Sequence, residues 1–419
     1  MTNKLRDYQI DISERASIVL QQLNIVYLAM QVRTGKTLTA LNTAKLFSAK
    51  KVLFITKKKA IDGIISDYSN FGFEFEFVVT NNESIHKVPN NGFDLLISDE
   101  HHRNGAFPKP NATTKIIRER FGNLPMIFLS GTPTPESYSQ IFHQFWISHK
   151  TPFSEPTFYK WANKYVDVKL KYLGYANVKD YSHGKKKEIF DVVAPYFIRY
   201  TQSEAGFIST INETILEVDV DPKIHLIVER LKRDRVIVGR NDNVLLADTG
   251  VKLQSKIHQL YSGTIKFENG ESMILDFSKA NFIKKQFEGK KIAIFYKFRQ
   301  EFEALKRVFG EQLTDNLNDF NSSDKNIALQ IVSGREGISL KEAEFLVYYN
   351  IDFSAVSYWQ SRDRLTTKER ANNKIFWIFA KGGIEKNIYN CVMSKRDYTI
   401  AIFKKDYNIT NVNRDVKLK

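Results

Sequence analysis

Two short runs of this 419-residue sequence combine residue types that act together on a phosphorylated ligand. Gly35-Lys36-Thr37 lies between an apolar, strand-like run and a helix-like one. At such a junction the helix N-terminus offers unpaired N–H groups and the positive end of its dipole to phosphate. Lys36 can then reach the β- and γ-phosphates of a nucleotide, and the Thr37 hydroxyl can ligate magnesium. The full loop pattern asks for another glycine five positions before Gly35, where this chain has Met30, so the triplet alone also fits an ordinary strand–helix turn. About sixty residues on, the apolar run FDLLIS delivers Asp99-Glu100-His101-His102 to its carboxyl end, where ligands bind in open α/β sheets. Asp99 there can hold magnesium, directly or through water, and Glu100 can orient and deprotonate an attacking water. A solvated acidic turn is the plainer alternative, and the phosphate loop upstream weighs against it.

The elements that must position these residues follow from the apolar pattern. Leu5–Leu23 and Leu38–Ser48 have helical spacing; Asn24–Met30, Lys51–Thr56, Phe75–Thr80, Phe93–Ser98 and Pro125–Ser130 are short apolar strands. Their alternation predicts a parallel sheet covered by helices. From His149 to Gln202 the pattern turns rich in Tyr, Phe and Lys, which we read as a helical extension ending in a crossing segment near Arg199–Phe207. Alternation resumes with a strand at Thr214–Val220, a helix at Pro222–Leu231 and a hairpin at Thr264–Leu275 turning on Asn269-Gly270. A helix around Ser278–Phe287 precedes strands at Lys291–Tyr296, Asn326–Val332, Glu344–Asn350 and Lys374–Phe379. The expected architecture is α/β: a first lobe over residues 1–148, a helical extension and crossing segment over 149–210, and a second lobe over 211–419.

Composition narrows the classes. Hydrophobic residues make up 42% and charged residues 26%, ordinary for a globular protein. The longest apolar runs, such as Phe345–Tyr349, are too short to span a bilayer, and Met1–Lys4 runs into a polar stretch rather than a signal peptide, so a cytoplasmic setting is expected. Cys391 is the only cysteine, which excludes disulfides within the chain and multi-cysteine zinc sites. The net charge of +15, from 62 Lys+Arg against 47 Asp+Glu, favours a polyanionic partner.

Taken in order, the motifs resemble those of superfamily-two helicase ATPases of the Swi/Snf type, especially short phage-encoded members, from Leu5 to about Lys381. LRDYQ resembles the adenine-reading segment and implies that Gln9 meets the base. QVRTGKT resembles the phosphate loop, with Arg33, Thr34, Gly35, Lys36 and Thr37 around the nucleotide. FITKKKAI and VTNNESI are similar to the next two motifs, which implies nucleic-acid contacts at Thr56, Lys57 and Thr80. DEHH resembles the family's DEAH-like acidic box, with His102 linking ATP chemistry to the strand-binding surface. SGTPTPES, the most distinctive match, implies that Ser130 and Thr132 bridge the ATP site to the lobe interface. KIAIFYKF (Lys291–Phe298) is similar to the second lobe's first strand. VSGREGISLKEAEFLVYYN resembles the fifth motif, with Ser333 on nucleic acid and Gly337 near the nucleotide. SYWQSRDRLTTKER resembles the sixth, which supplies Gln360 and an arginine finger, Arg364, to the γ-phosphate.

The chain departs from the family where its second finger arginine would fall, on Thr367; Arg362, Lys368 or Arg370 could substitute, or Arg364 could act alone. In the 149–202 stretch, Tyr159, Lys160, Trp161, Lys164, Tyr165, Lys169, Lys171, Tyr172 and Lys185–Lys187 interleave aromatics and bases, which fits either a nucleic-acid track or a helical brace. The resemblance implies two tandem RecA-like lobes, ATP and magnesium as cofactors, and a monomeric, nucleic-acid-dependent ATP hydrolase closing on ATP at its cleft. Such a motor would translocate along or unwind DNA, favoured over RNA, in phage replication, recombination or repair, with proteins of those processes as further partners. An ATPase switch or clamp without processive travel, and a nucleic-acid binder with a decayed ATPase, are the alternatives; intact Lys36, Thr37, Asp99 and Glu100 argue against the latter.

Overall fold

In both halves of the chain the apolar runs become strands and the amphipathic runs between them become covering helices. The computed structural model describes residues 4–90, 92–172, 177–206, 210–239, 243–334, 340–365, 372–394 and 406. It divides into two units, Met1–Phe207 and Ile208–Lys419.

The first unit opens with α1 (Asp7–Leu23), β1 (Ile25–Met30), α2 (Lys36–Leu46), β2 (Lys51–Thr56), α3 (Ile61–Asn70) and β3 (Glu76–Asn81). It continues through β4 (Leu95–Ser98), α4 (Ala112–Phe121), β5 (Met126–Leu129), α5 (Ile141–Trp146) and α6 (Phe158–Tyr165). A hairpin of β6 (Lys169–Tyr172) and β7 (Asn177–Asp180), then α7 (Lys186–Val193) and β8 (Phe197–Tyr200), completes it. Six strands form one parallel sheet in the order β3-β2-β4-β5-β1-β8. Successive residues point to opposite faces, so each strand feeds two cores. Ile25, Tyr27, Leu53, Ile55, Leu96 and Phe128 pack against α4 to α7 on one face. Val26, Leu28, Met30, Val52, Phe54 and Ile97 pack with Ile12, Ala16, Leu20, Leu41 and Ile64 on the other.

The stretch expected to be a helical extension is mixed. The spacing of Phe158, Trp161, Ala162 and Tyr165 makes one apolar helix face, which is buried in the first unit's core. Most of its aromatic character therefore serves packing, while the lysine-bearing hairpin projects with Leu170 72% exposed. The expected crossing segment begins as a sheet strand: Phe197–Tyr200 pairs with β1.

The second unit comprises β9 (Thr210–Val218), α8 (Pro222–Asp234), β10 (Val236–Val238), β11 (Val244–Leu246), α9 (Gly250–Tyr261), β12 (Thr264–Lys266) and β13 (Ser272–Ile274). Next come α10 (Ser278–Gln286), β14 (Ile292–Tyr296), α11 (Arg299–Phe309), β15 (Leu313–Thr314), α12 (Leu317–Ser322), β16 (Asn326–Gln330) and α13 (Ile331–Gly334). The last elements are β17 (Phe345–Tyr348), α14 (Ala355–Ser361), β18 (Asn372–Ala380) and α15 (Glu385–Met393). A second parallel sheet runs β15-β16-β14-β17-β18-β9. β9 pairs with β18 from Thr210 to Val218, starting earlier than the strand expected at Thr214. The hairpin at Asn269-Gly270 forms, with Gly270 at φ 91°. The two units are tandem RecA-like lobes, each a parallel sheet flanked by helices.

Candidate nucleotide site

The strand order decides which loops meet. β1 and β4 are not neighbours; β5 lies between them. The loop after β1 and the acidic pair after β4 therefore flank the Ser130-Gly131-Thr132 segment that follows β5. Gly131 lies against the loop after β1: a Cβ there would stand 3.4 Å from the Met30 carbonyl oxygen and 3.5 Å from the Val32 nitrogen, ordinary van der Waals contact. Met30, which replaces the glycine of the full loop pattern, is buried in the sheet core.

The loop turns through left-handed backbone at Arg33 (φ 64°) and Gly35 (φ 77°). For Arg33 that conformation costs roughly 1–3 kcal/mol and persists because its surroundings over-determine it. Those surroundings are explicit. Thr34, fully buried, donates to the Gln31 carbonyl at 2.7 Å, and the Tyr8 hydroxyl donates to the Thr34 carbonyl at 3.1 Å. Gln9 Nε2 donates to the Gly35 carbonyl at 3.2 Å, while its Oε1 accepts from the Arg6 amide at 2.9 Å. Gln202, just past β8, donates from its amide to Gln31 Oε1 (2.7 Å) and from Nε2 to the Val32 carbonyl (3.0 Å). Lys36 and Thr37 then open α2, both partly buried. Gln9, which the resemblance sets against the base, also contacts the loop through the Gly35 carbonyl.

At the tip of β4, Asp99 Oδ2 accepts from the Thr56 hydroxyl at 2.8 Å and Oδ1 from the Glu100 amide at 2.9 Å. Burial and then the charge of Glu100 push the Asp99 carboxyl up to about 6, against the lowering effect of Lys36 and the Thr56 hydrogen bond. Lys36 is thereby within electrostatic reach of the acidic pair. Glu100 is also left-handed, at φ 46°. Its Oε2 lies 3.4 Å from His102 Nδ1, which is 2.9 Å from Ser130 Oγ; that hydroxyl in turn accepts from the Thr132 amide at 3.1 Å. His101 has a different place: fully buried, stacked on Phe128 at 3.6 Å, within 2.9 Å of Ser98 Oγ and the Gln144 carbonyl. Burial lowers its pKa to about 3, so it is a neutral structural group.

The donor set fits magnesium and a nucleotide. A threonine hydroxyl and a carboxylate are hard oxygen ligands, which suits an ion held by one or two protein oxygens together with phosphate and water.

Thr56 and Thr80, expected on nucleic acid, are 1% and 8% exposed. Thr56 turns inward onto Asp99, which leaves Lys57, partly buried, at the surface of that strand tip. In the second unit Arg364 is 8% exposed, with its carbonyl accepting from the Leu340 amide at 3.2 Å. Arg362 pairs with Glu213 at 3.1 Å. Gln360 lies in α14; its side chain and that of Ser333 lie outside what is described, as do Gly337, Thr367, Lys368 and Arg370. Sequence reasoning missed Tyr8, which stacks on Tyr200 at 4.7 Å, as well as Gln202 and Tyr27, whose hydroxyl donates to Gln144 Oε1 at 2.7 Å. No spacing signal marks them, because their partners lie up to about 170 residues away.

The class defined by this architecture is a tandem pair of parallel α/β lobes, the first carrying a Gly-Lys-Thr turn and an acidic pair on one sheet edge. No family model and no curated protein matches the chain. Among solved structures it is similar to the Sulfolobus solfataricus SWI2/SNF2 ATPase core in complex with dsDNA, at 14% identity over 97% of this chain and 93% of that one, with a TM-score of 0.44. It is also similar to the SWI2/SNF2 ATPase core domain of that organism, at 15% identity over 94% and 89%, with a TM-score of 0.41.

Proposed function

We propose that this chain is an ATP-driven, nucleic-acid-dependent translocase or helicase of the Swi/Snf type, acting on DNA. The observation that carries the reading is the unbroken run of contacts from Glu100 through His102 and Ser130 to the Thr132 amide. It ties the group suited to activating water to the neighbouring loop, as coupling hydrolysis to movement requires.

In this reading Gly35 and the amides after it cradle the phosphates, and Lys36 offsets the charge of the transferred group. Thr37 and Asp99 would hold magnesium, which when bound would neutralise phosphate charge. Thr56 orients Asp99. Glu100 takes the proton of the attacking water, oriented by His102. Arg364 supplies positive charge to the transition state, and Gln360 a hydrogen bond. Arg33, Thr34 and Gln9 shape the loop, Gly337 allows close backbone approach, and Lys57 and Ser333 belong to the nucleic-acid surface. A role in phage replication, recombination or repair follows from the sequence resemblance.

The test is the ATPase rate with single-stranded DNA, duplex, branched DNA and RNA side by side. DNA is expected to stimulate it, with binding that weakens steeply in salt because phosphate contacts release counterions. If every nucleic acid leaves the rate unchanged, the motor reading fails. Displacement of a blocked duplex or triplex separates travel from clamping.

A further inference from the structure

Glu213, on the first strand of the second unit, is where four side chains converge. The Tyr358 hydroxyl donates to its two oxygens at 2.9 and 3.1 Å, Trp377 Nε1 donates to Oε2 at 2.9 Å, and the Tyr389 hydroxyl to Oε2 at 3.1 Å. Arg362 Nη1 stands 3.1 Å from Oε1. The pairing of β9 with β18 sets Glu213 beside Ile375, so Trp377, two residues on, projects from the same face. The carboxylate is 12% exposed.

Two of these partners, Tyr358 and Arg362, belong to the segment that ends in Arg364. The Arg362 guanidinium also lies over the Trp359 ring, 4.7 Å from its centre, and donates to the Tyr358 hydroxyl at 3.3 Å. The start of the segment is tied separately: the Ser357 hydroxyl donates to Asp352 at 2.7 Å, and Asp352 pairs with Lys297 at 2.7 Å. Its end is tied by the Leu340 amide on the Arg364 carbonyl. Glu213 is thus the middle anchor. A largely buried charge pair adds little stability over an apolar replacement of the same shape. What it adds is a single orientation, through a planar guanidinium and fixed hydrogen-bond directions.

We propose that Glu213 is a positioning residue: by fixing Arg362 and Tyr358 it sets the turn Arg362–Leu365 and hence the direction in which Arg364 is presented. The inference rests on the reading of Arg364 as the transition-state arginine. It also gives Arg362 a task other than replacing the arginine missing at Thr367. Because β9 opens the second unit immediately after the boundary at Phe207, the same carboxylate ties the entry of the chain into that unit to its arginine segment.

The experiment measures kcat and KM for ATP, in the whole chain with saturating DNA, for the wild type, Arg364→Ala, Glu213→Gln, Arg362→Ala and the double variant Glu213→Gln/Arg362→Ala. Glu213→Gln and Arg362→Ala are each expected to lower kcat about tenfold with KM within about twofold. The double variant should be no slower than about twofold below either single, since both remove one interaction. An unchanged kcat in Arg364→Ala overturns the arginine reading and the inference with it. A fall in Arg364→Ala alongside an unchanged Glu213→Gln, or a multiplicative double variant, overturns the inference alone. If Glu213→Gln does not fold, Arg362→Lys against Arg362→Ala decides: Lys should keep kcat about threefold higher by retaining the charge pair, and equal rates overturn the proposal.

Discussion

Asp99 in the first unit and Asp352 in the second both stand beyond the end of a central parallel strand, yet their carboxyls are driven in opposite directions. Burial and then Glu100 push Asp99 up to about 6, and Lys36 and Thr56 only partly offset them. Burial acts upward on Asp352 too, but the charge and hydrogen bond of Lys297, with those of Ser357 and the Phe353 amide, bring it below the ordinary carboxylate range. Elsewhere in the second unit, Lys279 and Glu385 form an ion pair at 2.6 Å with both side chains buried. The same sheet architecture is finished in two ways. The first edge is short of positive charge and suits an incoming cation; the second is neutralised from within and suits holding its own segments still.

The strongest way to break this contrast is to change one acid in each unit. Glu100→Gln is expected to lower kcat about 1,000-fold while ATP binding persists, as loss of a general base should; turnover near the wild-type rate would remove Glu100 from that role. Glu385→Ala should instead cost about 3–5 kcal/mol of stability, because it strands a buried Lys279. Urea titration checks it, and an unchanged midpoint would show that the second unit does not depend on internal neutralisation.

A smaller effect comes from a buried histidine in each unit. Burial lowers His143 to about 4, despite its hydrogen bond with the Ala106 carbonyl. Burial, then Lys297, holds His258 well below its ordinary value, against the Asn350 contact at 2.5 Å. A folded-state pKa below the unfolded one means that the unfolded chain takes up the proton first, so stability falls as pH drops below about 6.5. Between about pH 6.5 and 5 His143 should remove about 1.5 kcal/mol, and His258 acts in the same direction. Urea midpoints at the two pH values test this, and a replacement such as His143→Asn should flatten only its own unit's response. Identical curves with and without the histidine would disprove it.

The two units also differ in how much of them the sequence disclosed. The strands before Gly35, Asp99 and Ser130 are apolar runs long enough to be read directly, and their alternation specified a parallel sheet. What stayed hidden depends on strand order. That β5 lies between β1 and β4, so that Ser130 meets His102, is a long-range property with no local signature. β8 was missed because Phe197–Tyr200 is short and lies within an aromatic, lysine-rich stretch whose composition suggested helix. Trp161 and Tyr165 look like a stacking track in sequence and are core in the structure, since a helix face and a base-stacking face draw on the same residues. Glu213 gave no signal at all: one acid in a strand, whose partners lie 145 to 176 residues further on.

The finest test compares two glycines. Gly35 (φ 77°) and Gly270 (φ 91°) both occupy backbone that side chains rarely adopt, so alanine at either should cost about 1 kcal/mol of stability. Their surroundings differ. A Cβ at Gly35 would come 2.3 Å from Gln9 Nε2, whereas one at Gly270 would meet nothing within 4 Å. Gly35→Ala must therefore also displace the Gln9 side chain that holds the phosphate loop, and ATP affinity should fall about fivefold beyond the folding cost. Gly270→Ala should leave ATP affinity unchanged. Adding Gln9→Ala to Gly35→Ala removes the clash but not the backbone strain, so it should recover part of the stability and none of the affinity if Gln9 is what sets the loop. Full recovery of affinity in that double variant would mean that the clash alone, and not the loop geometry Gln9 maintains, governs nucleotide binding.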